Sequence, residues 1–202
     1  MKLLYGTTNP AKLASMKRIL DTLSIEMIGL SDLGQKIPRI EETGNSPLEN
    51  AVLKATAYYE AFGMPVFSCD SGLYFEELPE QLQPGTHIRR VGGKTLTDEE
   101  MTAYYADLAR THGGTLTGRY KNAICLILDP EHIYSTMDQS LWTEPFLLTD
   151  KPHPKQVAGF PLDRLSLDFQ TGNYYYDLPD REVASSVTDE GFRTFFETYC
   201  LQ

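Results

Sequence analysis

The chain has 202 residues, 41% hydrophobic and 23% charged, with a formal net charge of −10. That length favours one domain, spanning 1–202, with a core of its own. The acidic balance, without any Lys/Arg-rich run, argues against a nucleic-acid-binding protein, which needs a basic face. It leaves room for an anionic small molecule, because a few local lysines and backbone amides outweigh a distant acidic surface. Cys69, Cys125 and Cys200 are odd in number and widely spaced, which suits a reducing compartment and gives no zinc-like pairing. Met1 to Tyr5 is too short for a signal peptide, and no stretch approaches the length of a membrane span. A cytoplasmic protein is expected.

Lys2 to Thr7 reads as a buried strand. A helix follows, capped by Asn9 with Pro10 at its first position, carrying Leu13, Met16, Ile19, Leu20 and Leu23 on one face. A second helix starts at Ser46-Pro47, where Glu49 completes a capping box. Its apolar positions run from Leu48 to Phe62, and Gly63 ends it. Met64 to Cys69 is a strand, with Asp70-Ser71-Gly72 as the turn at its end. Thr97-Asp98-Glu99-Glu100 is another capping box, opening a helix with Met101, Tyr104, Tyr105 and Leu108. Tyr120 to Leu128 is a central strand, with further strands at Ile133–Met137 and Pro145–Thr149. Lys151 to Lys155 is a Pro-rich loop. Thr188 caps a last helix with Phe192, Phe195, Phe196 and Tyr199. Early alternation of strands and helices, then clustered strands, gives an α/β protein with a mixed β-sheet core and flanking helices.

Chemistry concentrates in three places. Thr7-Thr8-Asn9-Pro10-Ala11-Lys12 joins the first strand to the first helix. A helix N-terminus offers free amides and partial positive charge to a phosphate, and Lys12 adds a full charge. Taken alone, this segment is better explained as a plain helix cap with a solvated lysine, since capping by Asn is commonplace. Glu42 and Asp70 are the candidate metal ligands, since Mg²⁺ takes one or two protein carboxylates and completes its shell with water and phosphate. Asp70 is also the candidate general base, acting on a water. The competing readings are a solvated loop at Glu41-Glu42 and an Asx turn at Asp70. Asn50 and Lys54 lie one helical turn apart on a common face, from which Lys54 reaches a phosphate. Glu49 is better explained as a cap than as a ligand. His87, His112, His132 and His153 lack metal-ligand spacing and read as loop or surface residues. Arg89 and Arg90 face either phosphate, a partner subunit or solvent. Tyr174-Tyr175-Tyr176 reads as a strand or interface before it reads as a base-stacking surface.

These segments, in this order, resemble the inosine triphosphate pyrophosphatase family, which hydrolyses non-standard purine nucleoside triphosphates. Thr7-Thr8-Asn9-Pro10-Ala11-Lys12 is similar to the family's Thr-Gly-Asn-x-x-Lys. Glu42-Thr43-Gly44-x-Ser46-x-x-Glu49-Asn50-Ala51-x-x-Lys54-Ala55 is similar to its Glu-Thr-Gly helix motif, and Cys69-Asp70-Ser71-Gly72 to its Asp-Asp-Ser-Gly. Pro84-Gly85 with Arg89-Arg90-Val91-Gly92-Gly93 resembles a further segment. The resemblance implies two lobes around a central cleft, a Mg²⁺ requirement and a homodimer. It implies that Thr7, Thr8, Asn9 and Lys12 bind the triphosphate with Lys54 and Ser71, while Glu42 and Asp70 manage metal and water. Phe160 and Asp163, in Gly159-Phe160-Pro161-Leu162-Asp163, fall on its base-pocket positions.

The chain departs from the pattern at several points. Cys69 stands where the family has a first Asp, and Thr8 replaces a Gly. Ala184-Ser185-Ser186-Val187 occupies the region of the family's Ser-His-Arg base-reading motif. The expected activity is Mg²⁺-dependent hydrolysis of ITP, dITP or XTP to the monophosphate and pyrophosphate. Two other readings stay open: a non-catalytic nucleotide-binding or regulatory protein on the same scaffold, and a pyrophosphatase for a different modified nucleotide.

Overall fold

The computed structural model describes residues 1–179 and 187–201. In chain order, strand β1 (Lys2–Tyr5) leads into helix α1 (Pro10–Leu20), strand β2 (Glu26–Gly29), helix α2 (Pro47–Phe62) and strand β3 (Val66–Phe75). A small hairpin, β4 (Arg90–Val91) and β5 (Lys94–Thr95), precedes helix α3 (Asp98–Thr111). Strands β6 (Thr115–Asp129), β7 (His132–Thr136), β8 (Phe146–Thr149) and β9 (Ser166–Asp168) follow, and helix α4 (Val187–Cys200) is last. This is an α/β protein with a mixed sheet and flanking helices. Among the described residues, no helix is long and apolar enough to cross a membrane.

Local chemistry sets most helix ends as expected. Asn9 Oδ1 accepts the Lys12 N–H at 3.3 Å, with Pro10 opening α1. Ser46 Oγ accepts from Glu49 N at 3.2 Å, and Gly63, at φ 60°, closes α2 with its N–H on Tyr59 O. Only glycine adopts that left-handed conformation without strain. Glu49 does not complete the expected capping box: its carboxylate accepts from Asn45 N at 2.7 Å, one residue ahead of the cap. At α3 the box is complete, with Thr97 Oγ1 on Glu100 N and Glu100 Oε2 on Thr97 N. Thr188 lies inside α4 instead of capping it, and its hydroxyl donates to Trp142 O at 2.9 Å. Ala184 to Ser186 lie outside the described residues.

The chain forms two compact units, and β3 and β6 have residues in both. The first holds the described residues of 1–71, 121–142 and 187–201. Its strands run in the order β2-β1-β3-β6-β7. β1 is parallel to β2 and to β3, and β7 is antiparallel to β6. The period-two alternation of strands sorts the side chains. Leu3, Tyr5, Phe67, Cys69, Ile124 and Leu126 join a cluster with Met16, Ile19 and Leu20 of α1 and Phe192, Phe195 and Phe196 of α4. Leu4, Val66, Ala123, Cys125 and Ile127 join Ala51, Ala55 and Tyr58 of α2. The sheet of this unit is therefore buried on both faces, with α1 and α4 on one and α2 on the other.

The second unit holds the described residues of 72–120 and 143–179. β8 pairs antiparallel with the start of β6 and with β9. Helix α3 packs Met101, Tyr105 and Ala109 against Leu116, Phe146, Leu148, Leu162 and Leu165. Asp98, the first residue of α3, accepts Arg89 Nη1 and Gly159 N, both at 2.7 Å. Arg89 is thus engaged within the fold. Tyr174, Tyr175 and Tyr176 form no strand; a 3-10 turn covers Tyr175–Asp177, and the rings of Tyr174 and Tyr176 pack on His153. His153 lies in a loop, as expected, with its side chain 14% exposed and Nε2 at 3.2 Å from Asp177.

Candidate functional site

The largest difference from the sequence reading is at Asp70-Ser71-Gly72. This tripeptide is no turn. β3 runs through it to Phe75. Asp, Ser and Gly are turn formers by composition, but Gly72 serves here by lacking a side chain. A Cβ on it would stand 3.0 Å from the backbone of Gly85, which pairs with Leu73 within the second unit. Because β3 stays extended, consecutive residues face opposite sides. Phe67, Cys69 and Ser71 face α1 and α4; Ser68 and Asp70 face α2.

On the α2 side, four side chains of the first unit converge. Lys54 is buried, and its Nζ donates to Glu42 Oε1 at 2.9 Å, Asp70 Oδ1 at 3.2 Å and Cys69 O at 3.2 Å. Asp70 is buried as well, and its Oδ2 accepts from Asn50 Nδ2 at 3.0 Å. Asn50 Oδ1 in turn accepts the Gly44 N–H at 2.8 Å. Burial alone pushes the Lys54 ammonium toward neutrality. The Asp70 charge and the hydrogen bond and charge of Glu42 more than offset this, so its pKa is raised and it stays a cation. Glu42 and Asp70 thus share one cation, as the sequence placed them around one metal. Their oxygens are hard donors. Among the described residues no group of three or more His, Cys, Asp or Glu is arranged to hold a metal. A cation here would therefore draw only on these carboxylates, with water and phosphate completing the shell, which fits a hard divalent ion.

On the α1 side lies a cavity of about 160 Å³, lined by Tyr5, Lys12, Cys69, Ser71, Asn122 and Asp189 over an apolar floor that includes Met16 and Phe192. Ser71 Oγ donates to Asn122 Oδ1 at 2.7 Å, and Asn122 Nδ2 donates to Leu141 O at 2.7 Å. Burial pushes the Cys69 thiol up to about 11, against the lowering effect of Lys12, the Tyr5 hydrogen bond and Lys54. Burial likewise raises Tyr5, helped by Cys69 and Asp70. Thr7 Oγ1 accepts from Asn9 N at 3.2 Å, folding the loop over the start of α1, and Thr8 is exposed. Lys12 and Ser71 therefore meet at this cavity, while Glu42, Lys54 and Asp70 meet on the other face of β3. Phe160 and Asp163 belong to the second unit: Phe160 is 56% exposed, and burial raises the Asp163 carboxyl.

Sequence reasoning missed two hydrogen-bonded amides, the buried Asn50 and the half-buried Asn122. Its face assignment for Asn50 is right but gives that side chain no task, although an Asn among the apolar positions of a helix interior is a poor helix former and needs a reason. Asn122 stands just before the apolar run of β6, after Arg119 and Lys121, so no such signal marks it in the sequence.

The mixed α/β fold sets two carboxylates around one buried ammonium, in the same unit as a strand–loop–helix segment that carries Lys12. Residues 3–142 match the Ham1 family, and the chain belongs to it. A dITP/XTP pyrophosphatase of Thermus thermophilus is 36% identical over 200 residues, covering 98% of this chain and 92% of that protein. A dITP/XTP pyrophosphatase of Oceanobacillus iheyensis is 38% identical over 98 residues, covering 48% of this chain and 49% of that protein. Alignments thus span between about half and nearly all of such relatives. In structure, a HAM1 protein from Coxiella burnetii superposes with a TM-score of 0.75 over 98% of this chain and 99% of that one, at 22% identity, which establishes the fold.

Proposed function

We propose that the chain hydrolyses non-standard purine nucleoside triphosphates such as ITP, dITP and XTP to the monophosphate and pyrophosphate, with Mg²⁺ as cofactor. The observation that carries this is the convergence of Glu42 and Asp70 on one buried cation position. Mg²⁺ bound by these carboxylates supplies positive charge to phosphate oxygens as negative charge develops on them. Asp70 Oδ1 takes the proton of the attacking water while the phosphoanhydride bond breaks and its electrons leave with pyrophosphate. Lys54 then neutralises phosphate charge from the α2 side. Lys12 and the amides at the start of α1 hold the triphosphate, with the Thr7, Thr8, Asn9 and Ser71 side chains as donors. Phe160 and Asp163 contribute to holding the base.

The case for a non-catalytic relative rests on Cys69 and on the missing Ser-His-Arg motif, whose region at Ala184 to Ser186 lies outside the described residues. The Cys69 thiol faces α1 while Asp70 faces α2, so that departure leaves the Glu42–Lys54–Asp70 set complete. The finer assignments belong to the same proposal: a cytoplasmic enzyme with reduced cysteines, a homodimer by family resemblance, and a nucleotide instead of nucleic acid as ligand. The test is a panel of ITP, dITP, XTP and the ordinary nucleotides with Mg²⁺ or Mn²⁺, with pyrophosphate and orthophosphate measured separately. Pyrophosphate from the non-standard purines is expected. No pyrophosphate from any nucleotide overturns the proposal, and release from modified pyrimidines alone replaces its substrate.

A further inference from the structure

Asn50 is 1% exposed and uses both ends of its amide. Gly44 N–H is only a donor, so the atom facing it at 2.8 Å is the amide oxygen. The nitrogen is then left to face the Asp70 carboxylate, at 3.0 Å. The orientation is fixed by chemistry at both ends. Gly44 lies two residues after Glu42, so this one side chain ties the segment bearing Glu42 to the carboxylate of Asp70. Lys54, four residues on along the same helix face, ties the same two acids by charge. Gly44 has to be a glycine for this contact: a Cβ there would stand 2.6 Å from Asn50 Oδ1 and 2.9 Å from Asn50 N.

We propose that Asn50 is a positioning residue: through the Gly44–Asn50–Asp70 relay it fixes the direction of the Asp70 carboxylate relative to Glu42. The proposal rests on the reading of these two acids as the catalytic and cation-binding pair. Asp70 has Oδ2 committed to Asn50, which leaves Oδ1, the oxygen that accepts from Lys54 Nζ at 3.2 Å, as the one offered to a cation or a water. Without Asn50 the carboxylate is free to turn about its last torsion, which is broad for a terminal carboxylate. The Glu42 segment also loses a tether to it. Asn50 reaches the chemistry only through Asp70 and Gly44.

The test uses the full-length protein and two variants. Asn50→Ala removes both bonds. Asn50→Asp keeps the size and the acceptor for Gly44 N–H and replaces the donor to Asp70 by an oxygen that, when ionised, also sets a second negative charge beside it, so it breaks the relay without opening a cavity. Mn²⁺ affinity of the nucleotide-free protein is read by electron paramagnetic resonance, and kcat and KM for ITP are read separately. Outer-shell partners of this kind are worth about 10- to 100-fold in metal affinity or activity. Asn50→Ala should weaken Mn²⁺ by that factor. Both variants should lower kcat by a similar factor while KM moves less than about threefold, because the triphosphate-holding residues are untouched. Wild-type kcat in Asn50→Asp, or unchanged Mn²⁺ affinity in well-folded Asn50→Ala, overturns the proposal. If Asn50→Ala does not fold, Gly44→Ala replaces it, breaking the relay from its other end with the same expected Mn²⁺ loss. If the wild type releases no pyrophosphate from any nucleotide, the enzymatic reading falls, and the Mn²⁺ measurement still decides the role of Asn50.

Discussion

Replacing Lys54 by Met preserves the length of the side chain and deletes its charge. The Lys54–Asp70 pair is 3.2 Å apart with both side chains 10% exposed. At an effective dielectric of about 20 the gross attraction at that distance is roughly 5 kcal/mol. Breaking a buried pair by removing one partner costs about 3–5 kcal/mol, because the other charge is left unpaired. The Glu42 arm adds little, about 0–1 kcal/mol, since that carboxylate is 48% exposed. For a chain of this size, about 2–4 °C of Tm per kcal/mol places the expected drop at roughly 6–20 °C. Lys17→Met is the control. The Lys17–Asp21 pair is shorter, at 2.6 Å, but its side chains are 63% and 59% exposed. Its loss is expected to cost about 0.3–0.5 kcal/mol, below about 2 °C. Both are read by thermal unfolding followed by circular dichroism. Mg²⁺ should then stabilise Lys54→Met more than the wild type, since in the wild type it competes with an ammonium. At a hundredfold excess over its Kd the ion would return about 2.7 kcal/mol. Lys54→Met melting within about 2 °C of wild type would refute the claim that burial, and not distance, sets the worth of these pairs.

Three further outcomes are expected. Asp70→Asn should lower kcat by about 10²–10⁴-fold while nucleotide affinity, read by calorimetry, changes far less; equal losses of both would make Asp70 a structural residue. Gly6→Ala should lower Tm through about 1–3 kcal/mol of overpacking, because its Cβ would meet Ser68 Oγ at 2.2 Å and the Tyr58 ring at 2.6 Å, and an unchanged Tm would contradict that contact. Burial raises the Cys69, Cys125 and Cys200 thiols from 9.0 to about 11, so between these values the native state binds more protons than the unfolded chain. Stability is then fully present below pH 9 and falls as pH rises toward 11; a urea midpoint that holds level or rises across that window would show the sign to be wrong.

Much of this protein is legible in its sequence because helix ends are local. Asn9, Ser46, Thr97 and Gly63 act on atoms within a few residues of themselves, so residue type and spacing predict them. Glu42, Lys54 and Asp70 each have a common alternative when read singly and become legible as a set through the order of the motifs that resembles the family; the structure brings the three together. Strand β2 is not legible: Glu26–Gly29 is four residues long and gains its definition from pairing with β1. Hairpin β4–β5 and strand β9 are shorter still. The Asp70-Ser71-Gly72 turn fails for a sharper reason. A sequence shows that a glycine is present, but not whether it serves a left-handed φ or the approach of another segment. Gly63 does the first and Gly72 the second.

That one distinction reorganises the site. In a turn, Cys69 and Asp70 would sit side by side, and the replacement of an acid by Cys69 would weaken the metal end. In an extended strand they point apart, and Asp70 keeps Lys54 and Asn50 while Cys69 keeps Tyr5 and the cavity that Lys12 lines. A carboxylate at position 69 would add negative charge to the cavity that Lys12 lines. The neutral thiol adds no second acid there beside Asp189. Within the proposed function, the departure from the family pattern therefore bears on the charge of the α1 side, and the chemistry assigned to Asp70 does not depend on it.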